Sequence, residues 1–481
     1  MMSISKWRCL VGLFIFSLFW SACQDEEETM QVPGGEPEMP THETPWAWAR
    51  TINGPSEEDE IDAVATDGTG NVYISGKFEQ TLTIEGHEEP LVSRGRADIM
   101  VVKYNRTGEL EWVRHFGSAS EDNIFDADID LDGNLILSGY FGQTVDFGGI
   151  NLSAQGSLDM VVLKMSPEGD VIWAKKFGST AEDGGNEVEI GPQNEIIVGA
   201  GSKGDFESIP ATAFQDAYVL SLSPDGETNW IRAIQGAGAA RAKAIEVDEL
   251  GRVYLGGDYS GENHLIVDGQ QIDFPIYGNI DAYLVSFSVD GDFRWSKTYG
   301  GTGDEICKGL INTSDNSLYL AGQFANTVPF DGQVLNSNSG SRDLYLWKID
   351  ENGESIWLRH IASAQNLLGA ELGIDEQDRV WFGMSTSGSV EFPENSVSSR
   401  SVSNCAGSNC PILVSYTQDG QLNTLMQLPL SDDARFGEIA VSGDRVYVDC
   451  PYTGNFTIND RLISSEQGSK DGAIVAFDIG D

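Results

Sequence analysis

From about residue 45 onward, apolar and polar positions alternate in short runs broken by Gly, Asp and Asn. One stretch reads Ile61–Asp62–Ala63–Val64–Ala65–Thr66–Asp67, then Gly70–Asn71–Val72–Tyr73–Ile74–Ser75–Gly76. After a variable segment come Asp98–Ile99–Met100–Val101–Val102–Lys103–Tyr104 and Gly108–Glu109–Leu110–Glu111–Trp112. Runs of this length and period, rich in β-branched and aromatic residues, predict strands. Pro224–Asp225–Gly226 and Glu351–Asn352–Gly353 predict hairpin turns between them. Each unit is then four antiparallel strands: A (near 61–67), B (71–78), C (98–105) and D (110–117).

The units recur about every 62 residues, the mark of a repeat architecture. Asp98, Asp159, Asp216, Asp281 and Asp343 each precede a Gly by ten positions, and each Gly precedes a Trp by four: Trp112, Trp173, Trp230, Trp295 and Trp357. A sixth copy runs from Cys410 through Gly420 to Thr424, and a seventh starts at Asp471. Trp48 stands near the start with no Asp segment before it. Seven four-stranded units predict an all-β chain, a seven-bladed β-propeller. Radial packing of blades covers most sheet edges. The segment Trp46–Ile52 would supply strand D of the last blade and pair with Asp471–Phe477, closing the ring. A linear solenoid, the alternative, needs no such split.

The pattern W…GG…D…N-V-Y-x-x-G…D-x-x-x-x-K-x-x-x-x-G-x-x-x-W resembles the bacterial seven-bladed propeller repeat family known as SBBP. It is clearest in Trp295, Gly300, Gly301, Asp304, Leu318, Tyr319, Gly322, Asp343, Lys348, Gly353 and Trp357. The resemblance covers nearly all of 45–481 and implies the fold. It implies little about function, because propellers host many chemistries. The seventh unit departs most, with Thr424 for Trp and Cys450 for the strand-B Gly.

The N-terminal segment has a different character. Lys6 and Arg8 precede the apolar run Leu10–Trp20, followed by Ser21, Ala22 and Cys23. This order is that of a secretory signal, too short to be a comfortable membrane span. The small residues before Cys23 resemble a bacterial lipobox, with Trp20 a departure from it. The resemblance implies removal of residues 1–22 and lipidation of Cys23; an ordinary signal peptide with a nearby free Cys is the alternative. Residues 23–44 then read as an acidic, Pro- and Gly-containing tether, and 45–481 as the propeller. Gln24–Asp25–Glu26–Glu27–Glu28 resembles the surface-export signal of some Gram-negative lipoproteins, or is solvated linker. The expected address is the bacterial outer membrane, reached through the lipid anchor.

Charge narrows the partners. Asp+Glu total 75 against 29 Lys+Arg, a formal net charge of −46. That argues against nucleic acid, which is held through cationic contacts to phosphate, and against docking on anionic lipid.

Candidate chemistry is sparse. Asp59, Asp122, Asp183 and Asp304 fall in one repeat column before strand A, with Glu58, Glu121, Glu182 and Glu305 beside them; other units have Ala240, Leu367 and Ala434 there. If strand A is innermost, these carboxylates ring part of the channel mouth, and such oxygens suit a hard cation such as calcium. The alternative is that each Asp accepts backbone N–H bonds in its own turn. Asp130–Leu131–Asp132–Gly133–Asn134 looks like part of a calcium loop but matches an A-to-B turn. His115 and His360 share one position on strand D and are expected at the surface; no His triad or three-His site is visible. The Trp column is expected to wedge between blades rather than to stack on sugars. Cys405 and Cys410 have the spacing of a small loop disulfide, while Cys307 and Cys450 are expected as single buried thiols.

The B-to-C connections are long and unequal, the usual place for binding on a rigid scaffold. The expected function is therefore a non-enzymatic, monomeric envelope lipoprotein whose loops bind a protein or glycan. The alternatives are a hydrolase or lyase using acidic residues at the channel mouth, and a purely structural envelope protein.

Overall fold

The chain divides into two parts, Met1–Thr44 and Pro45–Asp481. The computed structural model describes residues 46–479 apart from 57–58, 213, 268–269, 339, 394–398, 403–408, 429–432, 459–460 and 466–469. The signal segment, Cys23, the tether, Glu58 and Cys405 lie outside the described residues.

Every regular element among the described residues is a β-strand. The third repeat unit shows the pattern: strands Asp183–Ile190 (A), Ile196–Ser202 (B), Asp216–Leu222 (C) and Thr228–Gly236 (D) pair antiparallel in that order. Strands B and C are mostly apolar and buried along their whole length because both faces are covered. The same order recurs in units whose A strands are Glu60–Thr66, Asn123–Ile129, Ala240–Val247, Glu305–Asn312 and Leu368–Ile374. In the seventh unit the order is Ile439–Ser442, Arg445–Asp449, Gly472–Asp478 and then Trp46–Asn53, with Trp48 opposite Ala476 and Ile52 opposite Gly472. The A strands touch one another in chain order, and that of unit 7 touches that of unit 1. The fold is an all-β, propeller-like repeat. Its cores lie between units, as where Tyr73 and Val101 of unit 1 meet Leu137 and Val161 of unit 2.

The Asp–Gly–Trp columns are the fastenings of this repeat. Each Trp donates its indole N–H to a carbonyl in the C-to-D turn of the next unit: Trp112 to Pro167, Trp173 to Pro224, Trp230 to Val289, Trp295 to Glu351 and Trp357 to Gln418, at 2.8–3.2 Å. Trp48 continues the series from unit 7 to Arg106 of unit 1, at 2.9 Å. An Arg two positions on adds a second bond in four units, as from Arg114 Nε to the Gly169 carbonyl at 2.8 Å. The Gly that ends each turn faces the Trp of the preceding unit. Gly108 has φ +78°, and a Cβ there would lie 2.6 Å from the Trp48 ring, so both conformation and space demand glycine. Unit 6 carries Thr424 at the Trp position. The turn it would reach is absent, because strands C and D of unit 7 come from opposite ends of the propeller segment.

The column Asp at the head of strand C is buried and holds the loop before it. Asp98 accepts from Arg94 N at 2.9 Å, and Asp281 from Tyr277 N at 2.8 Å. This corrects the expectation for the two histidines. His115 Nε2 lies 2.6 Å from Asp98 Oδ2 and His360 Nε2 lies 2.7 Å from Asp343 Oδ2, both largely covered and against Phe78 and Phe324.

The B-to-C connections are also more regular than their lengths imply. In six units they form a two-stranded hairpin, such as Thr144–Phe147 with Ile150–Ser153. Its inward residues are buried: Leu82 and Ile84, Val145 and Phe147, Leu265 and Phe274, Val328 and Phe330, Val390 and Phe392, Phe456 and Ile458. Most hairpins dock on strand D of the preceding unit. Leu265 pairs with Ile234, Val390 with Ser363 and Ile84 with Ile52, while Phe147 meets Phe116 and Phe330 meets Tyr299. An outer strand that would end as an open edge is thereby covered. The unit 7 hairpin instead gathers with Ala49 and Val475 of its own unit. Unit 3 has a short connection, with Phe206 buried in its place.

Candidate functional site: an acid-lined channel

The residues singled out before strand A are distributed among separate loops. Asp59 accepts from Ser56 N and Glu79 N, Asp122 from Ser118 N and Gly142 N, and Asp183 from Ser179 N and the Ser202 hydroxyl. Burial pushes Asp59 and Asp122 up to about 6, and raises Asp183 as well. In unit 5 the matching residue is Glu305. Its N–H bonds the Ile280 carbonyl, as the N–H groups of Asp122 and Asp183 bond Ala97 and Leu158, and its carboxylate accepts from Gly301 N at 2.7 Å. Asp304 is one residue out of register and pairs with Arg342 at 2.8 Å. None of these four aspartates lines the channel. Asp59, Asp122 and Asp183 thus accept bonds within their own loops, the alternative to a cation ring. Asp130 likewise closes its turn, accepting from Asp132 N and Asn134 N, and pairs with Lys164. Cys410 opens strand C of unit 6 in the Asp column, and Cys307 and Cys450 are free and buried.

A different set of carboxylates comes together. The A strands of all seven units line a cavity of about 340 Å³. Six of these strands carry a β-bulge at one repeat position, occupied by Asp62, Phe125, Asn186, Lys243, Lys308 and Ala370. A bulge bends the strand and re-aims the side chains that follow. The residue after the bulge is Asp126 in unit 2, Glu187 in unit 3 and Glu371 in unit 6, with Glu438 at that place in unit 7. Two positions on stand Asp128, Glu189 and Glu246 in units 2, 3 and 4. Among the described residues, seven carboxyl groups thus line the cavity with one cation, Lys308.

These groups also fasten one A strand to the next. Asp126 Oδ2 accepts from Val188 N at 2.7 Å and Asp128 Oδ2 from Ile190 N at 3.0 Å, both across the junction of units 2 and 3. Asn312 of unit 5 donates to Glu246 Oε1 at 2.6 Å. Asp128 also lies in hydrogen-bonding reach of Glu189. Burial raises every one of these carboxyls, reinforced by repulsion from neighbouring carboxyls in all but Glu371: Asp128 to about 6, Asp126 to about 7, Glu246 to about 8, and Glu187, Glu189, Glu371 and Glu438 upward as well. Ionising all seven together is therefore disfavoured.

The sequence reading missed this set because its members do not share one column in all units. The signal was present: Asp-x-Asp in unit 2 and Glu-x-Glu in unit 3, on the strand already assigned innermost.

No family model matches the chain. It is 22% identical over 320 residues to the regulatory protein FlaEY of Caulobacter vibrioides, covering 60% of this chain and 32% of that protein. An uncharacterised WD repeat-containing protein of Acanthamoeba polyphaga mimivirus is 19% identical over 320 residues, covering 52% of this chain and 23% of its own length. The match thus spans a third or less of these relatives. Among solved structures, a puromycin hydrolase mutant is similar with a TM-score of 0.47 at 13% identity, over 87% of this chain and 56% of that one. The WD40 β-propeller domain of Doa1 is similar with a TM-score of 0.40 at 10% identity, over 91% and 97%. These similar proteins include enzymes and non-enzymes alike.

Proposed function

We propose that this chain is a non-enzymatic binding scaffold of the bacterial envelope: a closed seven-bladed propeller over 45–481, tethered through residues 24–44 to a lipidated Cys23 at the outer membrane. Its ligand is a protein or glycan, and it acts as a monomer. The observation that carries the binding reading is the ring of docked hairpins. Their inward side chains are fixed in the core, while Val92, Ile266, Val334 and Leu462 are about half exposed or more on four of them. Exposed aliphatic residues on a rigid frame are what a recognition surface needs. The succession of A-strand contacts from unit 7 to unit 1 and the Trp48 bond support closure. A Cys405–Cys410 disulfide fits as a local brace of unit 6.

The test is glycan- and peptide-array binding by the whole propeller segment, beside a variant carrying Val92→Asp, Val334→Asp and Leu462→Asp. The reading expects signals that vanish in the variant while its melting curve is kept; equal signals overturn it. Cys23→Ser should abolish labelling of the protein with radioactive palmitate in the producing cells.

One observation favours an enzymatic reading instead. Asp128 and Glu189 form a paired-carboxyl arrangement inside a cavity, the kind of environment that separates an acid from a base. Hydrolysis or elimination of an array ligand that Asp128→Asn abolishes would establish that reading in place of the first.

A further inference from the structure

We propose that a shared proton in the channel clasps the A strands of units 2 and 3 together, and that its loss in mildly alkaline medium loosens that junction. The geometry is that of a fastening. Within each unit strand A pairs only with strand B, so side chains must join one A strand to the next. Across the junction of units 2 and 3, Asp126 and Asp128 supply two acceptors to Val188 N and Ile190 N. Asp128 and Glu189 come from opposite sides of that junction and stand in hydrogen-bonding reach. Two carboxyl groups so placed form a bond only when one holds a proton; both ionised, they repel.

The cations nearest these carboxyls are Lys308, which lines the cavity, and Lys243 at the unit 4 bulge. Units 2 and 3 contribute Asp126, Asp128, Glu187 and Glu189, and unit 4 contributes Glu246 with Lys243 at its bulge. Unit 5 contributes Lys308, unit 6 Glu371 and unit 7 Glu438, which buried Asp449 repels. Unit 1 lines the cavity with Val64, Ala65 and Thr66. Asp130, next to Asp128, is already matched by Lys164 at 2.6 Å. Lys243 and Lys308 act on Glu187, and Lys308 on Glu371. The pair Asp128–Glu189 faces carboxyls.

The direction of the pH effect follows from the raised carboxyls. A carboxyl that ionises at higher pH in the folded chain than in the unfolded one contributes stability that is fully present below the unfolded value, about 4. That stability is lost as pH rises through the folded value. For Asp128, Asp126 and Glu246 the loss runs from about pH 4 to about pH 8.

The experiment compares the intact chain with Asp128→Asn/Glu189→Gln and with a surface control, Glu249→Gln/Glu376→Gln. Tm is measured from pH 5 to pH 8.5, together with amide exchange at Val188 and Ile190, corrected for the intrinsic pH dependence. We expect the Tm of the native chain to fall across this range and the two amides to lose protection. The surface control should follow the native slope, and the channel variant should be flatter and higher-melting at pH 8. Equal slopes for the channel variant and the native chain overturn the proposal. Should that variant fail to fold, infrared difference spectra of the native chain decide. Protonated carboxyl bands at pH 7 that fade by pH 9 support the clasp, and their absence at pH 7 overturns it.

Discussion

At the scale of single residues, the repeat columns are explained by one bond each. The indole N–H of Trp112 on the Pro167 carbonyl is representative. Trp112→Phe keeps the ring but removes that bond, leaving Lys103 Nζ at 3.1 Å as the carbonyl's donor. We expect a loss of about 0.5–1.5 kcal/mol, the net worth of one hydrogen bond, read as a lower midpoint in urea denaturation. Gly108 is fixed by conformation and by contact, so Gly108→Ala should cost more than about 1 kcal/mol. Acid sensitivity is another residue-scale matter. Asp315 is partly desolvated, but hydrogen bonds from Thr313 and Ser317, with Lys348 nearby, hold it down to about 2. A carboxyl depressed on folding contributes stability above the unfolded value and loses it as pH falls toward 2. Asp315→Asn should therefore make the acid limb of the Tm–pH curve shallower. These columns were legible in the sequence because each is enforced in nearly every unit. The histidines were misjudged because alternation along strand D says which face they occupy, not that a buried Asp98 or Asp343 waits opposite.

At the scale of elements, strands A to D were legible and the hairpins were not. Strand pairing follows from alternation and turn residues, which are local. The hairpin signature is short: Thr144–Val145–Asp146–Phe147, Thr327–Val328–Pro329–Phe330 and Asn455–Phe456–Thr457–Ile458 share two apolar positions and little else, set at unequal offsets within connections of unequal length. Their role depends on the neighbouring unit, which no local pattern shows. The channel carboxylates were hidden for a related reason, since each bulge shifts the face of strand A by one residue and breaks the count that alternation relies on. The hairpin reading has a direct check. Phe330 is buried against Tyr299 of the preceding unit, so Phe330→Ala should lower stability by about 3–5 kcal/mol and expose the strand-D edge, seen as faster aggregation during thermal ramps.

At the scale of the molecule, the joint between chain ends carries the fold. Strand Trp46–Asn53 lies against Gly472–Asp478 with six paired positions and bonds unit 1 through Trp48. Starting the propeller segment after residue 53 should leave Gly472–Asp478 as a bare edge. We expect broad, non-cooperative unfolding in calorimetry, whereas starting at residue 45 should preserve a single sharp transition.

Among the described residues, six unit junctions carry a Trp fastening and the junction of units 6 and 7 does not. The missing bond lies between units 6 and 7, where Thr424 stands, and the unit 7 hairpin turns toward its own sheet instead of reaching back to unit 6. That junction is held instead by Phe436 N on the Ser385 hydroxyl at 2.6 Å and by Trp381 and Leu413 against Val446; if the ring is closed as proposed and this junction parts first, what remains is an open strip. Once units 6 and 7 separate, each remaining unit is held by neighbours alone, and the molecule can unravel one sheet at a time from the tear, as linear repeat arrays do. The position of Thr424 would thus set not how strong the ring is but where its failure begins and in which order its sheets are shed.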